Sequence, residues 1–342
     1  MKKKLFIALI AVFVFIPFVK VNALELTQTM IDDACTNTPD TDIGGLVCHI
    51  DGEDREITLL SGTHSLSEDV AAYAFQAFDA DGNTILNLNN HTLTGEIIVS
   101  YNNSLTINGP GTVTGSVVAE QGNITINGGT YNNGITMLLG KLIITDATVD
   151  SGSERMAVAI MDLSETTISG GTYTGTIAGV GVAEEGGYGN IKSITISGGT
   201  FTGGMTGLML YSYDIDSIKL SGGTFTGGLY SILAVNDAEA KANTIFNDIL
   251  ADGYTYSPAM TFTTEYDGDD DIWASYTNQK ELSVVQDTNS TPTPEETTNP
   301  SEDTTTSNPA TGDNIFLYIT LVALSLAGLT GAGFYIKNKI IN

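Results

Sequence analysis

Short segments between residues 86 and 225 alternate apolar and polar side chains, and they recur with a common layout. Leu86-Asn87-Leu88, Leu105-Thr106-Ile107, Ile124-Thr125-Ile126, Leu142-Ile143-Ile144, Thr166-Thr167-Ile168, Ile194-Thr195-Ile196 and Ile218-Lys219-Leu220 each open a unit. Each unit closes on a threonine and one more large apolar residue: Thr92-Leu93, Thr112-Val113, Thr130-Tyr131, Thr148-Val149, Thr172-Tyr173, Thr200-Phe201 and Thr224-Phe225. The threonines step by 20, 18, 18, 24, 28 and 24 residues. Alternation at period two predicts half-buried strands. Asn-Gly-Gly-Thr at 127–130 and Ser-Gly-Gly-Thr at 169–172, 197–200 and 221–224 predict corners, because glycine takes positive φ without a Cβ clash. Glycines and β-branched residues dominate and no 3.6-residue period runs through the repeat, so helices are not expected in it.

A unit this short cannot own a core, so like units must stack. Stacking predicts one interior column of Leu86, Ile124, Leu142, Ile194 and Ile218. It predicts a second of Leu93, Val113, Tyr131, Val149, Tyr173, Phe201 and Phe225. Thr166 interrupts the first column, and Leu105 falls one residue early because Gly109-Pro110-Gly111 lengthens its corner. At ~4.8 Å per rung, six steps make a rod of about 29 Å. The stretch from Asn87 to Gly95 and the repeated Ser-Gly-Gly-Thr-Phe-Thr-Gly resemble rungs of bacterial surface proteins with the right-handed parallel β-helix, or pectin-lyase-like, fold. The resemblance covers residues 57–236 and implies an all-β, right-handed parallel β-helix solenoid with small capping helices. The competing architecture is a β-sandwich of Gly-rich hairpins, which gives no reason for columns to persist through so many units.

A solenoid leaves strand edges open at both ends and needs caps. Residues 24–56 supply the expected N-terminal cap, with a short helix around 26–34 and a loop closed by Cys35 and Cys48. Two close cysteines in an exported chain predict a disulfide, stabilising by about 3 kcal/mol in the chain-entropy account. Residues 237–285 supply the second cap: a helix over 237–253 with Ala242, Ile245, Phe246, Ile249 and Leu250 on one side and Gly253 as its stop, then a β-rich tail from Tyr254 to Val285. Residues 286–307 are rich in Thr, Pro, Ser, Asn and Glu without periodicity, the composition of a disordered stalk.

Both termini carry processing signals. Lys2, Lys3 and Lys4, an apolar run from Leu5 to Val19, and small side chains at Val21 and Ala23 predict a signal peptide over 1–23. At the other end, residues 308–342 hold Asn308-Pro309-Ala310-Thr311-Gly312, an uncharged stretch at 315–336 long enough for a transmembrane helix, and basic Lys337 and Lys339 beyond it. That order resembles the cell-wall sorting signal of Gram-positive surface proteins, an LPxTG-type pentapeptide with asparagine in first place. The resemblance implies a sortase as processing partner, cutting between Thr311 and Gly312 and joining Thr311 covalently to peptidoglycan. Asn308 in place of leucine leaves the sortase class open. The implied location is secreted and anchored to the cell wall, after a transient stage in the plasma membrane.

Charge narrows the partners. The formal net charge is −27, and the processed chain keeps 7 of 13 basic and 39 of 40 acidic side chains, a net of −32. Nucleic acid and acidic lipid are excluded as partners, since both need a basic footprint.

The fold that the repeat resembles hosts polysaccharide lyases and hydrolases, which implies calcium-binding carboxylates with an arginine or lysine base, or clustered aspartates with a histidine. This chain offers Arg55 and Arg155, His49, His64 and His91, and Lys141, Lys192 and Lys219 beside rung strands. None has an acidic constellation that would tune it as a base, so no catalytic residue and no cofactor is assigned, calcium aside. The longest rungs are the better candidates for a binding site. At matching offsets they carry Asp162 with Glu165, Glu184 and Glu185 with Tyr188, and Tyr211, Tyr213, Asp214 and Asp216. Aromatic faces beside carboxylates suit a sugar ring, and the same oxygens suit a calcium ion. Solvated acidic loops are the alternative. Asp79 to Asn83, and Tyr266 to Asp271 near Trp273, read as acidic turns. The expected function is a non-catalytic, wall-anchored adhesin or binder of glycan or host matrix. A surface-displayed polysaccharide lyase or hydrolase is the first alternative, and a structural spacer the second.

Overall fold

The computed structural model describes residues 24–66, 82–99, 103–152, 155–161, 164–183, 191–211, 217–236, 239–267 and 272–288. The expected signal peptide, nearly all of the stalk, the sorting pentapeptide and the apolar span at 315–336 lie outside them, and so does most of the acidic turn at 79–83. The protein is mostly β-structure in long sheets of parallel strands.

The chain coils so that each turn lays one strand on each of three ladders. The first ladder begins with Asp54–Leu59, Asn83–Asn87 and Ser104–Asn108 and ends with Ser193–Ile196 and Ile218–Leu220. The second runs from Thr63–Leu66 and Thr92–Thr94 to Thr200–Gly203 and Thr224–Gly227. The third is a separate sheet: Ile97–Val99, Val117–Ala119, Ile135–Met137, Met156–Ile160, Ala178–Ala183, Thr206–Tyr211 and Tyr230–Asn236. Strands Asn123–Tyr131 and Gly140–Asp150 run through the corner and join the first two ladders into one sheet.

Register turns the alternation into columns. On the second ladder His64, Leu93, Val113, Tyr131, Val149, Tyr173, Phe201 and Phe225 are successive partners, all buried, as the sequence predicts from Leu93 onward. Tyr173 and Phe201 stack at 4.8 Å, and Phe201 and Phe225 at 5.1 Å. The interior tyrosines keep their hydroxyls satisfied at their own corners: Tyr173 donates to the Gly170 carbonyl at 2.7 Å and Tyr131 to Gly128 at 3.1 Å.

The first ladder corrects one expectation. Leu105 is the direct partner of Ile124, in a column of Thr84, Leu105, Ile124, Leu142, Thr166, Ile194 and Ile218. Leu86 belongs to a second column with Ile107, Ile126, Ile144, Ile168, Ile196 and Leu220. Counting back from the threonines assumed equal corners. The first corner is longer, with Asn89 and Asn90 at φ 48° and 66° and Leu88 buried inside it. Pairing follows the burial of two apolar residues per strand instead. Outside that corner Asn108 donates to Asn87 at 2.8 Å and Asn127 to Asn108 at 3.0 Å, satisfying polar groups from coil to coil.

Glycine is required at the corners for two reasons. Gly199 sits at φ +106°, and a Cβ on its neighbour Gly198 would collide with the Ser169 carbonyl of the preceding coil.

Both ends are closed largely by pairing. Leu24–Leu26 pairs with Thr63–Leu66, and Leu46–Asp51 pairs antiparallel with Asp54–Leu59. The helix Gln28–Asp32, capped by Thr27, continues into a wider turn held by the Cys35–Cys48 disulfide. At the far end the helix Glu239–Asp248 buries Ala242, Ile245 and Phe246 over the last coil. Leu220 donates to the Ile249 carbonyl, strand Glu281–Gln286 covers Thr224–Gly227, and Ile272–Thr277 covers Tyr230–Asn236. Apart from the parallel Leu24–Leu26 pairing, these cap pairings are antiparallel, unlike those of the coils.

Candidate functional site

The candidate loops all leave the third ladder at the same corner. They connect Ile160 to Ser164, Ala183 to Ser193 and Tyr211 to Ile218, and the flanking strands are in register: Ile160 with Val182 and Leu210, and Thr166 with Ile194 and Ile218. The loop after Ile160 is no longer than the Ala119-to-Asn123 connection of an earlier coil; the extra length of its coil lies in strand Met156–Ile160 and the corner before it. Lys192 donates its backbone N–H to the Ser164 carbonyl at 3.1 Å on the return side. The stacking therefore aligns the anchors of these inserts on neighbouring coils.

Of the sequence-derived ligand edge, Glu165 and Tyr211 are described. Glu165 is half-buried at the start of its first-ladder strand, between Lys141 and Ser193. Tyr211 is half-buried at the end of its third-ladder strand, between Ala183 and Val235. The two flank one corner from its two sides. Asp162, Glu184, Glu185, Tyr188, Tyr213, Asp214 and Asp216 lie outside the described residues. Among the described residues no three carboxylate, imidazole or thiolate groups gather as a metal cage.

The basic and imidazole groups sit elsewhere. Arg55 is buried in the N-terminal cap, next in line to Thr84, and its Nε donates to the Thr84 hydroxyl at 2.9 Å. Burial lowers its pKa to about 10, with Asp32 pushing the other way. Lys219 points outward, as the alternation predicts, and its ammonium donates to the Asp248 carbonyl at 2.8 Å, completing the helix end. His49 is exposed and paired with Asp40 at 2.8 Å, which raises its pKa. His64 is fully buried beneath the cap with neither ring nitrogen hydrogen-bonded, edge-on to His91 at 6.5 Å.

Two features escaped the sequence reading. The outward positions Ala159, Gly181, Met209 and Leu233 are in register on the third ladder and are buried, within a cluster that includes Met156, Met161 and Met205. The signal was the continuous apolar runs at 156–160 and 178–183, which mark strands buried on both faces. The second is a cross-strand ring pair, Tyr266 and Trp273, with centroids 4.6 Å apart. The run of acidic residues beside it drew the reading toward a turn.

No protein family, curated protein or solved structure matches the chain.

Proposed function

We propose that the chain is a wall-anchored surface adhesin whose stacked coils form a right-handed, pectin-lyase-like β-helix presenting a glycan- or matrix-binding edge. The observation that carries the reading is the register of the three insert anchors at one corner. Connections rooted on three consecutive coils, two of them extended, start from one edge a few rungs long, with Glu165 and Tyr211 at its described margins. Carboxylates and aromatic rings there supply hydrogen-bond acceptors and stacking faces for sugar hydroxyls and ring carbons. Wall attachment through Thr311, export by residues 1–23, the extended stalk and the membrane-spanning 315–336 rest on the sequence signals. A non-catalytic role agrees with Arg55 being spent inside the cap and Lys219 on the helix end.

The test is a glycan array probed with the full chain, with and without calcium. The reading expects saturable binding to a defined glycan set that Tyr188→Ala, Tyr211→Ala and Tyr213→Ala together abolish. A blank array under both conditions favours the spacer alternative, and new unsaturated or reducing ends in the spotted polysaccharides favour the enzyme.

A further inference from the structure

We infer that the terminal hairpin carries a second ligand site, separate from the coil corner: a stacking platform made by Tyr266 and Trp273 for a pyranose ring without negative charge. The two residues are direct partners across strands Phe262–Asp267 and Ile272–Thr277, and their rings lie 33° from parallel. Tyr266 is 48% exposed, the highest value among the exposed large apolar side chains of the described residues, and Trp273 is half-buried. A ring pair that served only to hold the hairpin would gain most by full cover. Here nearly half of the Tyr266 surface meets water, where an aromatic ring can take the C–H face of a sugar.

The platform has a rigid mount. Two residue pairs along the hairpin, Thr264 and Ser275 hydroxyls lie 3.2 Å apart, and buried Ser275 donates to the Ala242 carbonyl of the capping helix at 2.7 Å. Trp273 also stands opposite Asn236 of the last coil, so the hairpin continues the third sheet. Aromatic anchors held by such packing lose little freedom on binding.

Charge selects the sugar. Tyr266 lies between Glu265 and Asp267 in a chain of net charge −27, so uronates and sulfated sugars are repelled. Neutral and amino-substituted rings are not.

Trp273 is the sole tryptophan, so its fluorescence reports on this site alone. The full chain, held in a detergent without a sugar headgroup, is titrated with cellohexaose, a chitosan hexamer and a galacturonate hexamer. The inference expects a saturable emission change with at least one of the first two and none with galacturonate. Tyr266→Ala should weaken that response by about tenfold or more, whereas Tyr266→Phe keeps it, which separates lost stacking from a lost fold. Tyr211→Ala leaves the titration unchanged, so this site and the coil corner fail independently. An emission change with galacturonate, no change with either other oligosaccharide, or equal responses from Tyr266→Ala and the parent would overturn it.

Discussion

The second and third ladders are laid down by the same coils, yet their outer faces differ. On the second, Thr172, Thr174 and Thr200 are exposed, while Tyr173 and Phe201 are buried between or beside them. On the third, Val180, Val182, Leu208 and Leu210 face the core, and Gly181 and Met209 on the other side are buried too. Alternation is therefore a property of a face that meets water. Where both faces are covered the same backbone carries an unbroken apolar run.

The comparison can be broken at one coil. Phe201→Ala removes a ring stacked on both sides and should cost about 3–5 kcal/mol, whereas Thr202→Ala, its outward neighbour, should stay within about 0.5 kcal/mol. Denaturant melts of the two variants check this, and equal losses would dissolve the column. Met209→Asp tests the other ladder: a charge at a position 2% exposed should destabilise by about 2 kcal/mol or more, against a small change for Thr202→Asp. Similar effects would erase the distinction between the outer faces.

A smaller effect belongs to the base of the second ladder, where His64 takes the place that Leu93 holds one coil later. Burial holds its pKa below the ordinary 6.5, and His91 adds to the shift. The unfolded chain then takes up the proton first, so stability should fall as pH drops below 6.5 toward the lower folded value. Melting temperatures of the parent and His64→Leu between pH 7.5 and 5 measure it. The His64 contribution to the slope vanishes in the variant, and identical slopes would refute the assignment.

The column from Leu93 to Phe225, the disulfide and the Ala242–Ile245–Phe246 face were legible because each follows from a local rule: period two, two close cysteines, helical spacing. Leu86 was misplaced because corner length is set by neighbouring coils, and nothing local marks Leu88 as the residue that fills the first corner. The third ladder was unread for a related reason. The search used threonine and Gly-Gly as landmarks, and Met156–Ile160 and Ala178–Ala183 contain neither a threonine nor a glycine pair. At the candidate edge the offsets of the inserts were readable. That Tyr211 would border an apolar cluster was not, because that cluster joins residues from successive coils.

Spin labels on outward threonines of the second ladder test the stacking of coils most directly. Pairs at Thr112 and Thr200, Thr92 and Thr200, and Thr92 and Thr224 lie four, five and six coils apart, so at ~4.8 Å per coil their separations should rise through about 19, 24 and 29 Å. Separations that do not grow with the number of intervening coils would contradict the fold and the composite edge built on it.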